Sequence, residues 1–91
     1  MRSIRTHRFK ALYERLPEDV RRDADEAYRH FQDDPSYPGL NFERLQGIHA
    51  PLYSARVGRQ YRALAGRDGD TWVWFWIGSH AEYDKVLDRL R

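Results

Sequence analysis

Apolar positions along this chain switch from a helical period to an alternating one near its middle. After Thr6, the residues Phe9, Leu12, Tyr13 and Leu16 recur at i, i+3, i+4 and i+7, the spacing of one helix face, and Thr6 is suited to cap that helix. Leu16-Pro17 ends it and opens a second helix, with proline in the first turn and Glu18 and Asp19 at the positive end. Val20, Ala24, Ala27, Tyr28 and Phe31 form the apolar stripe of the second helix, and Arg21, Arg22, Asp25, Glu26 and Arg29 its solvated side. A loop from Asp33 to Gly39 comes next, then an irregular approach from Asn41 to Gly47. Upstream, Ser3 to Thr6 predicts a short first strand.

Alternation takes over in two strands, about Leu52–Val57 and Tyr61–Ala65, separated by Gly58-Arg59-Gln60. Directly opposed residues share a face, so a slip of one position reverses every assignment. A two-residue loop would oppose Arg56 to Tyr61 and mix polar with apolar on both faces. A three-residue loop opposes Val57 to Tyr61, Arg56 to Arg62 and Ala55 to Ala63. One face then carries Tyr53, Ala55, Val57, Tyr61, Ala63 and Ala65, and the other Ser54, Arg56, Arg62 and Leu64. The three-residue loop is the predicted register, with two arginines side by side on the face away from the helices.

After the turn Arg67-Asp68-Gly69-Asp70 comes Trp72-Val-Trp-Phe-Trp-Ile-Gly-Ser-His80, which holds all three tryptophans. Both faces of such a strand are apolar, which belongs inside a sheet covered on both sides. The three indoles are expected on one concave face away from the N-terminal helices, beneath the C-terminal helix or a partner's segment. His80 at the strand end is either a catalytic group held by a rigid element or a cap on the segment after the strand. A short helix from about Ala81 to Leu90 completes an α+β domain: an N-terminal strand and two-helix hairpin on a mainly antiparallel, roughly four-stranded sheet.

Ninety-one residues predict a single domain, 1–91, whose small core draws on 13 aromatic residues. There is no cysteine, which excludes disulfides and thiolate metal sites and fits a cytoplasmic location. No apolar N-terminal run suggests a signal peptide, and no stretch is long enough to span a membrane. Net charge is only +2, but Lys10 and Lys85 are the only lysines, and an excess of arginine suits phosphate or an acidic partner.

The histidines His7, His30, His49 and His80 have no ligand spacing, so neither a metal nor a cofactor is expected. What remains is His80, Tyr83, Arg56 and Arg62. Histidine moves protons near neutral pH, and arginine stabilises a crowded anionic phosphate. Together these suit metal-free RNA cleavage by attack of a 2′-hydroxyl on its neighbouring phosphate. The opposed arginines need either a carboxylate (Glu43, Glu82 or Asp84) or a bound phosphate between them.

The stretches Phe9…Leu16-Pro17, Leu45-Gln-Gly47, Tyr53-Ser-Ala-Arg56-Val-Gly58, Tyr61-Arg62-Ala-Leu64 and Gly78-Ser-His80 leading to Tyr83 resemble, in order and spacing, the RelE/ParE superfamily of small bacterial toxins. The resemblance implies a toxin of a type II toxin–antitoxin system, wrapped by a cognate antitoxin protein. Its concave face either cuts messenger RNA in the ribosome or poisons DNA gyrase. By position it implies catalytic roles for His80, Arg62, Arg56 and Tyr83, and nucleic-acid contacts from Arg44, Arg56, Arg59 and Arg62. Glu43 is a candidate carboxylate by rough position. The lysines of the prototype RelE are absent, since Leu52, Ser54 and Arg56 occupy that strand.

Overall fold

The computed structural model describes residues 2–91. Its elements are β1 (Arg2–Arg5), α1 (His7–Glu14), α2 (Glu18–Asp33), a 3-10 turn at Pro38–Leu40, β2 (Glu43–Arg44), β3 (Leu52–Val57), β4 (Tyr61–Asp68), β5 (Thr71–Ser79) and α3 (His80–Leu90). The sheet has five strands in the order β1-β5-β4-β3-β2, with β1 parallel to β5 and every other pair antiparallel. The additional strand over the expected four is β2, only two residues long, where the sequence offers no alternation to read.

Thr6 Oγ1 accepts the Phe9 N–H at 3.1 Å and starts α1 as expected. Pro17 instead stands one position earlier than the expected first turn: it is the cap of α2, with ψ 152°, and its carbonyl accepts the first helical N–H, from Arg21. Its missing N–H costs nothing there. Arg21 then donates to the carbonyls of Leu16 and Glu14, at 2.9 and 3.4 Å, which occupies the open end of α1.

Both N-terminal helices cover one face of the sheet, and α3 covers the other. Phe31, 1% exposed, stands edge-on to Phe42, Trp72 and Trp74 with ring centroids 5.0 to 5.9 Å away. A polar chain ties three elements over this core: Trp74 Nε1 donates to Ser3 Oγ (3.1 Å), which bonds the Tyr28 hydroxyl (2.9 Å). The β3–β4 hairpin has the predicted three-residue register, with Val57 opposite Tyr61 and Arg56 opposite Arg62. Ala55, Val57, Ala63 and Ala65 are buried under the helices, as the alternation required.

The tryptophans do not share a face. Trp76 is opposite Leu64, but Trp74 is opposite Ala65, so Phe75 is an extra residue on β5. Such a bulge inverts the alternation beyond it. Trp72, Trp74 and Ile77 therefore join the core under α1 and α2, while Phe75 and Trp76 pack on the other face with Leu64, Tyr83 and Leu87. The expected single stripe of indoles is corrected accordingly. Only Trp76 lies beneath the C-terminal helix, and the described chain leaves none of the three bare. No helix among the described residues is long and apolar enough to cross a membrane.

Candidate nucleic-acid site

The β3–β4 hairpin tip and the β5–α3 junction meet at one end of the sheet. Gly58 has φ +58°, and a Cβ on it would come within 2.5 Å of Asp23 Oδ2, so this turn requires glycine. The His80 N–H donates to the Gln60 carbonyl at 2.8 Å, docking the start of α3 on the hairpin tip. Ser79 caps α3: its Oγ accepts the Glu82 N–H, and Glu82 Oε1 accepts from both the N–H and the hydroxyl of Ser79. Those bonds favour the charged form, so the Glu82 carboxyl is held below its ordinary pKa.

This double tie fixes His80 at the first position of α3 with its side chain 57% exposed. The imidazole lies 5.8 Å from the Tyr83 ring, and its Nε2 lies 3.9 Å from Asp84 Oδ1. On β4, the Arg62 guanidinium lies 6.0 Å from the centroid of the same tyrosine ring. Tyr83 is itself buried against Trp76, with centroids 6.4 Å apart. Arg62 is directly opposite Gly78, where a Cβ would come within 2.6 Å of the Trp76 indole. Trp76 and Gly78 thus floor the site. The sequence alone marks neither for this role, although the position of Gly78 opposite Arg62 follows from the strand pairing.

The other expected contacts are more dispersed. Arg56 and Arg62 are adjacent in backbone, but their guanidinium groups have different partners. Arg56 Nε donates to the Gly58 carbonyl at 3.0 Å, whereas Arg62 lies by Tyr83. Arg56 also borders an open groove of about 330 Å³ between β3 and α2, along with Asp23, Glu26 and His30. Arg59 is exposed at the hairpin tip. Arg44 is opposite Tyr53, on the helix-covered face, and so stands apart from Arg62. Glu43, opposite Ser54, shares the face of Arg56 and Arg62. Among the described residues no carboxylate lies within 4.0 Å of Arg56 or Arg62; Asp84 is beside His80 and Glu82 is bonded to Ser79.

The family model of the ParE-like toxin domain matches residues 18–85, about three-quarters of the chain. The chain belongs to that family. The fold agrees. A chain of the RelB–RelE antitoxin–toxin complex from Methanococcus jannaschii superposes with a TM-score of 0.71 at 19% identity, over 97% of this chain and 99% of that one. A chain of the archaeal RelE–RelB complex from Pyrococcus horikoshii gives 0.69 at 18% identity, over 87% and 93%. The YoeB/ParE toxin from Agrobacterium tumefaciens gives 0.67 at 19% identity, over 88% and 99%. No curated protein matches the sequence.

In this ParE-like domain the hairpin end therefore carries an exposed imidazole and, among the described residues, an arginine free of carboxylates, both beside one tyrosine ring. Such a set can move a proton and hold a phosphate, with the buried Tyr83 ring backing both groups. The absence of a nearby carboxylate leaves the Arg62 charge available to an anion.

Proposed function

We propose that this ParE-like toxin acts as a ribosome-dependent, metal-independent messenger-RNA endonuclease, with residues 1–91 as a single toxin domain. The observation that carries this reading is the convergence of the exposed His80 imidazole and the half-exposed Arg62 guanidinium on one tyrosine ring, 5.8 and 6.0 Å from Tyr83. His80 moves the proton of the attacking 2′-hydroxyl, Arg62 holds the scissile phosphate and Tyr83 orients the nucleotide. Arg56 and Arg59 extend the phosphate contacts along the hairpin, and Glu43 supplies a carboxylate on the same face. The fold's likeness to chains from two RelE–RelB complexes supports a cognate antitoxin as the neutralising partner.

A second reading is favoured by β3. It offers no lysine: Leu52 is half-buried, and Ser54 is fully buried with a hydroxyl that bonds no protein atom. A strand without lysine, whose one cation is Arg56, leaves the proton transfer to His80 alone on this face and so keeps open a toxin that binds DNA gyrase without chemistry of its own. Induced expression followed by mapping of RNA 5′ ends separates the two. Cuts at codon positions in translated messages support the nuclease, whereas DNA damage with intact messages overturns it.

A further inference from the structure

Charge is divided unevenly between the two N-terminal helices. Residues 2–16 carry five cations (Arg2, Arg5, Arg8, Lys10 and Arg15) and one carboxylate, whereas residues 18–34 carry seven carboxylates and three arginines. The simplest fate for such neighbours is mutual ion pairing. It does not occur: among the described residues none of the five cations lies within 4.0 Å of a carboxylate. All five are exposed.

The orientation of α1 tells where two of them point. Successive helix residues turn by about 100°, so Arg8 and Arg15 fall on the flank next to Leu12, and Lys10 and Glu14 on the flank next to Tyr13. The Tyr13 hydroxyl donates to Asp25 Oδ1 at 2.8 Å, so that flank looks toward α2. Leu12 packs against both the main core and the cluster of Leu64, Trp76 and Tyr83, whereas Tyr13 joins only the main core, so the Leu12 flank is the one nearer α3 and the site. The strand pairing explains the reach. β1 accompanies β5 as far as Trp74, and α1, which follows it directly, packs on β5.

We propose that Arg8 and Arg15 form a second phosphate-binding ledge that holds single-stranded RNA beside the Arg62–His80 rim. This rests on the RNA reading of that rim. Seven residues of helix separate the two arginines by about 10 Å, which lets each take a different phosphate of one strand. The acidic α2 lies on the opposite flank and repels RNA there, so the strand is guided along the α3 side of α1.

The test is binding of a fluorescein-labelled 2′-O-methyl oligouridylate, which cannot be cleaved, to the full chain over a range of KCl. For Arg8→Ala/Arg15→Ala the slope of log affinity against log salt should fall by about 1.4, two phosphates at roughly 0.7 each. Arg8→Lys/Arg15→Lys should keep the wild-type slope. Arg22→Ala/Arg29→Ala, the same charge change on α2, should also keep it. An unchanged slope in the first variant, or an equal fall in the α2 control, overturns the ledge. So does an effect seen only with ribosomes and not with the single strand. Mapped 5′ ends report separately on cleavage: a wild-type protein that cuts nothing but binds through Arg8 and Arg15 sinks the nuclease reading alone.

Discussion

Arg62 on β4 lies directly opposite Gly78 on β5, and the missing side chain of Gly78 is occupied by the Trp76 indole. The glycine thus makes room for a large aromatic that packs, tilted by 41°, against Tyr83. Its backbone needs no special conformation, because its φ is not positive. The requirement is one of space.

Gly78→Ala should therefore act through crowding. The new methyl would stand within 2.6 Å of the indole and 3.2 Å of Glu82 Oε1, so Trp76 must shift. Overpacking of this kind costs about 1–3 kcal/mol. Chemical denaturation should show that loss together with a changed tryptophan emission. Wild-type stability with unchanged emission would mean that the indole has room to move.

Much of the sheet was legible because polar residues mark its faces. In the β3–β4 hairpin, Arg56 and Arg62 differ from their alanine and valine neighbours, so only one loop length keeps them together. The β5 bulge left no such mark. Residues Trp72 to Ile77 are apolar without a break, and an inverted alternation there changes no polarity. Strand β2 was hidden for another reason: two residues are too few for a period. At the site, the sequence placed His80 and Arg62 at adjacent strand ends. It could not show that the Arg56 side chain turns to the Gly58 carbonyl, a choice between rotamers of one long side chain.

The capping box that holds His80 has its own pH dependence. Ser79 lowers the Glu82 pKa in the folded chain, so the charged carboxylate stabilises the fold. That contribution is complete above the unfolded glutamate value of about 4.3 and is lost as pH falls through the lower folded value. Urea midpoints of the wild type and Glu82→Gln should differ by a constant amount above about pH 5 and converge below it. Ser79→Ala should cost about 0.5–2 kcal/mol at neutral pH, the usual effect of losing a side-chain cap. Parallel pH curves for Glu82→Gln and wild type would remove the carboxylate from this role.

Arg62 and Arg56 should separate in their effects. Arg62 is half-exposed and faces Tyr83 with no carboxylate nearby, so Arg62→Ala should leave the fold almost intact. Loss of a transition-state phosphate contact should lower cleavage by about 10²–10³. Arg56→Ala, whose guanidinium is drawn toward Gly58, should have the smaller effect. Toxicity on induction and circular dichroism of the purified variants would check both. Unfolding of Arg62→Ala would assign that arginine to structure instead of phosphate.

His80 decides between an enzyme and a binder. Its backbone N–H holds the Gln60 carbonyl whatever the side chain, and the imidazole is more than half exposed, so substitution should not disturb α3. His80→Gln can still hydrogen-bond through its amide, but it cannot take up and release a proton near neutral pH. If the imidazole moves the 2′-hydroxyl proton, His80→Gln should be as inactive as His80→Ala, each losing about 10²–10⁴ in rate. Under the nuclease reading, binding to ribosomes should survive in both, because in that reading it rests on the arginines. Single-turnover cleavage of ribosome-bound message measures the first, and co-sedimentation with ribosomes the second. Near-normal cleavage by His80→Gln would leave the histidine only its exposed place at the head of α3, and the proton would have to move through another group on that face, with Glu43 the first to replace.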